Sequence, residues 1–168
     1  EIYQQLADAE GLWQVWRLKQ SQLYALLTKL EDAGYLAATM QPQEPRPPRK
    51  IYRLTARGRD AFERWLQTPV THGRQMRIEF LAKLYFAPRQ GAAGTAHLID
   101  QQMAACQSWL QELRGANALL AGAQAALEAE EDFFGYAVQQ FRLNQIESFI
   151  TWLTTCRHAV SIAGTRGE

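Results

Sequence analysis

A mostly α-helical chain, interrupted by one small β-hairpin and ending in long helices, is the fold class this sequence predicts. Three observations carry it. Residues 21–33 place Leu23, Leu26, Leu27 and Leu30 at i, i+3, i+4 and i+7, the stripe of an amphipathic helix. Residues 46–55 join a cationic, proline-containing loop to the β-favouring Ile51, Tyr52 and Leu54. Two long stretches near 95–120 and 132–163 repeat apolar residues at helical spacing.

Residues 2–12 carry Ile2, Leu6 and Ala9 on one face, a short helix that ends near Gly11. Trp13, Val15, Trp16 and Leu18 break that period and read as a turn with buried aromatics. Ser21 is placed to cap the leucine-striped helix, and Gly34 to end it with a left-handed residue. Leu36, Ala38 and Met40 alternate with Ala37, Thr39 and Gln41 as a strand. Residues 41–48 form a proline-rich loop, and residues 50–54 the returning strand. Thr55 caps a further helix with Ala61, Phe62, Trp65 and Leu66 inward, closed by Pro69.

Helix, turn, helix, strand, loop, strand, helix is the order of a winged helix-turn-helix without its usual first helix. The chain opens on Glu1 already inside a helical pattern, so a preceding segment is expected. Residues 71–75 read as a polar linker, giving a winged domain over 1–70 and a helical dimerisation domain over 74–168. In the second, Ile78, Leu81, Leu84 and Tyr85 stripe a helix over 77–87 that ends at Pro88, and residues 91–94 form a loop. Ile99, Met103, Cys106, Leu110 and Leu113 then step by heptad-like intervals, which implies packing on another long helix. Phe134, Val138, Phe141, Phe149, Trp152, Cys156 and Val160 form one stripe of the last helix. Ile146, Ile150 and Leu153 form a second beside it. One intramolecular partner cannot cover both, so Phe141, Phe149, Trp152, Leu153, Cys156 and Val160 are expected at a homodimer contact.

With 168 residues, 47% hydrophobic and 21% charged, the chain has enough core for one or two domains and is not of disordered type. No apolar run reaches the roughly 18–20 residues that span a bilayer. The net charge of +1 says little, but its distribution says more. Residues 46–64 hold seven cations against Asp60 and Glu63, and residues 17–29 hold Arg17, Lys19 and Lys29 with no acid. The acidic run 128–132 suits a solvated helix start. His72, His97 and His158 show no metal spacing, and Cys106 and Cys156 read as reduced thiols of a cytoplasmic protein, with a disulfide between them the alternative. No phosphate loop, nucleophile motif or cofactor signature points to an enzyme.

The run Ser21-Gln22-Leu23-Tyr24, then Leu27, Lys29-Leu30-Glu31 and Gly34, followed by Arg49-Lys50-Ile51-Tyr52-Arg53-Leu54-Thr55 and Gly58, resembles the winged-helix domain of PadR-like transcriptional regulators. Phe80-Leu81-Ala82-Lys83-Leu84-Tyr85-Phe86 and Trp152-Leu153 extend the resemblance to that family's helical C-terminal domain. It implies a homodimeric repressor that presents two winged helices to an operator with an inverted repeat. The 21–33 helix is then the recognition helix, with Gln22, Ala25 and Lys29 on one outer side and Tyr24 and Thr28 beside them. Gln22 has the amide to pair bidentately with adenine, Ser21, Tyr24 and Lys29 suit phosphate oxygens, and Lys19 and Gln20 join them as DNA-binding candidates, with a solvated polar helix face the alternative. Arg46, Arg49 and Lys50 of the wing, with Glu44 the only acid nearby, are expected at phosphates or along the minor groove, with a merely solubilising loop the alternative. In relatives, aromatics near the dimer contact line a pocket for planar aromatic molecules such as phenolic acids. Trp109 and Trp152 are the candidates here, with plain core packing the alternative. The rival function is a helical ligand-binding or interaction module whose winged helix contacts protein.

Overall fold

The structure, a computed structural model, describes residues 2–8, 11–43, 47–124 and 133–165. The chain divides into two compact units, residues 1–68 and residues 69–168. The acidic run at 128–132, Glu44 and Arg46 lie outside the described residues.

The first unit starts with α1 (Ile2–Ala7) and the single turn α2 (Leu12–Val15). Residues 13–15, expected in a turn, are helical instead, and Trp16, expected to be buried, is 45% exposed. Helix α3 (Gln20–Asp32) follows. Its cap is not the hydroxyl of Ser21: the helix begins one residue earlier, and the Gln22 Oε1 accepts from the Lys19 N–H at 3.0 Å. A glutamine at the third helical position reaches back to a donor that the helix leaves unpaired. At the other end the Gly34 N–H donates to Glu31 O and the Tyr35 N–H to Leu30 O, with Gly34 at φ +74°. Those crossed bonds, with a left-handed glycine between, stop the helix. Of the leucine stripe only Leu23 and Leu27 are buried, whereas Leu26 and Leu30 are 37% and 41% exposed. The unit's core therefore covers an i, i+4 ridge rather than the full stripe.

Strand β1 (Leu36–Gln41) pairs antiparallel with β2 (Arg49–Leu54), from Leu36 opposite Leu54 to Gln41 opposite Arg49. Alternation holds at the base, where Leu36 and Ala38 are half-buried, and fades toward the tip, where Met40 is 63% exposed. Leu54, β-favouring by sequence, is 47% exposed. Helix α4 (Ala56–Gln67) starts at Thr55, whose Oγ1 accepts from the Gly58 N–H at 3.0 Å. Leu66 is its most buried apolar side chain.

The second unit opens with Val70, 2% exposed, whose N–H donates to Gln102 Oε1 at 2.7 Å and whose carbonyl accepts from Gln102 Nε2 at 3.3 Å. The clamped residue thus directly precedes the expected linker of residues 71–75, which itself includes the short helix α5 (Gly73–Gln75). A π-turn over Met76–Phe80, α6 (Leu81–Phe86) and a 3-10 turn over Ala87–Gln90 come next. The π-turn adds a residue per turn and shifts the helical phase. Met76, Phe80, Lys83 and Ala87 turn inward, whereas Ile78 and Tyr85 of the expected stripe are 50% and 37% exposed.

Helix α7 (Gly91–Gln124) begins at Gly91, so residues 91–94 are helical rather than a loop. Helix α8 (Phe133–Thr165) packs along it. Arg157 holds Asp100 at 2.9 Å and Arg114 holds Glu147 at 2.7 Å. Later residues of α8 meet earlier residues of α7, which makes the pair antiparallel. Ile99, Cys106 and Leu153 form its fully buried centre, and Cys106 and Cys156 are both free thiols. No described helix is long and apolar enough to cross a membrane.

Candidate nucleic-acid interface

Two elements of the first unit bring polar side chains to one region, and backbone chemistry fixes both. Thr55 is the hub. Its hydroxyl reaches the carbonyls of Gly34 and Tyr35, at 2.8 and 3.1 Å, while capping α4, and its N–H donates to Tyr35 O at 3.0 Å. The base of the hairpin is therefore tied to the end of α3. Gly58 lets α4 come close: a Cβ there would run into the Tyr35 carbonyl oxygen and approach Leu54 Cδ1 to 3.0 Å. Arg57 lies over the Tyr35 ring, 5.1 Å from its centre.

Lys19, which precedes α3, and Gln20, Ser21, Gln22, Tyr24 and Lys29 on it are all exposed, and Ser21 and Lys29 lie opposite the buried Leu23 and Leu27. Tyr24, 55% exposed, is the largest of them. Bidentate pairing of Gln22 with adenine needs corrected chemistry. Its carbonyl oxygen is committed to the Lys19 N–H, which leaves the amide nitrogen as the group to present. The expectation that only Glu44 offers Lys50 an acid also fails. Lys50 Nζ is paired with Glu31 Oε2 at 2.5 Å, across 19 residues of sequence, and lies 5.3 Å from the Tyr52 ring centre. That hydrogen bond, with the carboxylate's charge, raises the Lys50 pKa despite some desolvation. Arg49 is exposed, with its Nε bonded to Gln41 Oε1 at 2.7 Å across the hairpin. Only the fold could reveal the Glu31 contact; the Gln22 cap was legible as a glutamine three residues after a helix start.

In the second unit the expected dimer residues separate. Leu153 is wholly buried within its own chain, so it serves the α7–α8 core rather than a subunit contact. Phe149, Trp152, Cys156 and Val160 are half-buried, and Phe141 is 63% exposed. Phe133, Phe134, Tyr136 and Val138, at 83%, 78%, 61% and 37%, extend that exposed stretch along the first turns of α8. Trp152 meets Phe80 edge-on at 6.0 Å and lines an open concavity of about 460 Å³ with Asn144, Glu147, Ser148 and Thr151. Trp109 is half-buried and is not among that lining. The described residues hold no cluster of His, Cys, Asp or Glu fit for a metal ion.

A two-stranded wing locked to the end of an exposed, polar helix defines a winged helix-turn-helix protein of the DNA-binding regulator class. Residues 1–64 match the profile of the Transcriptional regulator PadR-like family, and residues 76–161 match that of the Virulence activator alpha C-term. The winged unit therefore carries the PadR-like transcriptional regulator domain over residues 1–64, and a PadR is among the chain's relatives. Its relatives are regulators of transcription, not enzymes. It is 29% identical over 145 residues to the Negative transcriptional regulator PadR of Bacillus subtilis (strain 168), covering 86% of this chain and 80% of that protein. Among solved structures, that of Bacillus subtilis PadR in complex with operator DNA is 26% identical, with a TM-score of 0.42, over 95% of this chain and 88% of that one. The same protein in complex with p-coumaric acid is 25% identical, with a TM-score of 0.43, over 90% and 84%.

Proposed function

We propose that this regulator is a cytoplasmic homodimeric repressor that grips its operator with α3 and the wing, and that a small aromatic effector releases it. The observation that carries the reading is the juxtaposition within one compact unit of an exposed polar helix face and a cationic hairpin. The N-terminal residues Gln20, Ser21 and Gln22 would face base edges, and Lys19, Tyr24, Lys29 and Arg49 the phosphates. The negative sign of regulation draws support from the name of the Bacillus subtilis relative, and operator binding and a phenolic effector from the complexes in which that relative was crystallised.

Dimerisation would use the exposed aromatic stretch of α8 from Phe133 to Phe141, with Phe149, Trp152, Cys156 and Val160 continuing it. An apolar surface of that extent on one helix is unusual for a monomer. The concavity at Trp152 offers a ring edge and polar groups to a planar ligand. An effector placed there would act only by binding two dimer geometries unequally.

The reading is tested by titrating the duplex upstream of the protein's own gene at several salt concentrations. Tyr24→Ala should weaken binding about tenfold, within the range of a lost interface side chain, while the dimer persists. Arg49→Ala should reduce the log–log salt slope by about 0.9. Salt-insensitive binding, or none, would instead favour the protein-contacting module, for which the exposed Leu26, Leu30 and Met40 speak.

A further inference from the structure

We propose that Glu31 is a positioning residue for the wing, with Lys50 as its strut rather than a phosphate clamp. The proposal rests on the DNA-binding reading and assigns a role inside the same surface. Glu31 stands in the last turn of α3, and Lys50 on β2 opposite Met40. The carboxylate holds the ammonium at 2.5 Å while the Tyr52 ring flanks it, so the lysine is restrained from two sides. The two side chains are 28% and 43% exposed, less open to water than a freely solvated surface pair.

A two-stranded hairpin is marginal alone, so its direction depends on what ties it down. Thr55 ties its base to Gly34 and Tyr35. Lys50 lies four residues nearer the tip than Leu54, roughly 13 Å along the strand at about 3.3 Å per residue. One anchor leaves a pivot; two at that separation fix an angle. Arg49 is the next residue toward the tip, so the angle decides where its guanidinium meets a backbone whose contacts set register. Were Lys50 to leave for a phosphate, Glu31 would be left as an unpaired anion beside the duplex.

Two double variants keep the net charge and separate the roles. E31K/K50E rebuilds the pair with reversed polarity, and E31Q/K50Q removes it. Each is compared with the parent protein on the duplex the parent protects, by fluorescence anisotropy across a salt series, and by hydrogen exchange of the β2 amides without DNA. A strut predicts that E31K/K50E stays within about twofold of the parent and E31Q/K50Q binds about fivefold or more weakly, as coupling between touching residues allows. All three should share one salt slope, and β2 exchange should quicken only in E31Q/K50Q. Parent-like binding by E31Q/K50Q would overturn the proposal, as would equal weakness of both variants with a slope lower by about 0.9. A parent protein that protects no duplex overturns the DNA-binding reading instead, and the exchange result still decides whether the pair holds the wing.

Discussion

Thr55 illustrates how much one side chain can organise. Its hydroxyl caps α4, and its donor and backbone N–H engage the carbonyls that end α3. Thr55→Ala removes the cap and the hydroxyl's bond to Gly34 O while the backbone N–H still serves Tyr35 O, and caps of this kind are worth about 1–2 kcal/mol. The first unit should lose that much in urea denaturation, with looser wing amides; an unchanged midpoint would contradict the hub. In the second unit Cys106 carries a different prediction. Burial pushes its thiol pKa up from 9.0, with a smaller opposing effect of the Gln102 hydrogen bond. A raised folded pKa means the folded chain holds the proton more tightly than the unfolded one. That contribution is fully present below the unfolded value and is lost as pH rises through the folded one. The stability advantage of the parent over Cys106→Ala should therefore hold to about pH 9 and shrink above it. A difference that grows with pH would refute the burial argument.

At the scale of elements, the sequence marked ends and types well and faces less well. Gly34 and Thr55 were readable because helix ends use local chemistry. The leucine stripe of α3 is real as a pattern, but only Leu23 and Leu27 find cover, because burial depends on what packs against a helix. The face of residues 76–87 was misread for another reason. A π-turn advances the phase without changing composition, so Ile78 and Tyr85 fall outside and Phe80 and Lys83 inside. Helix α8 shows a third limit: its two stripes predicted more apolar surface than α7 covers, but not that Leu153 would belong to the inner one. The exposed aromatics at its start carry the dimer prediction. Phe134→Glu/Phe141→Glu should keep the helical circular dichroism of the parent and elute as a monomer from a sizing column. A dimer of unchanged stability would move the contact elsewhere.

For the molecule as a whole, the sequence allowed a candidate DNA-binding surface to be named but not wired. The elements proposed to meet the duplex are those the sequence marks with basic residues around a hairpin and a polar helix face. The occupied states of Gln22, Arg49 and Lys50 required the fold, since each depends on a partner that periodicity does not select. Two-fold pairing of such units would set their α3 helices one duplex turn apart, about 34–36 Å or a multiple of it. The direct measurement is a footprint of the purified protein on the promoter beside its own gene. The account predicts protection of an inverted repeat whose half-site centres lie about 10–10.5 base pairs, or a multiple, apart. No protection at concentrations where the protein is dimeric, or a single unrepeated site, would contradict it.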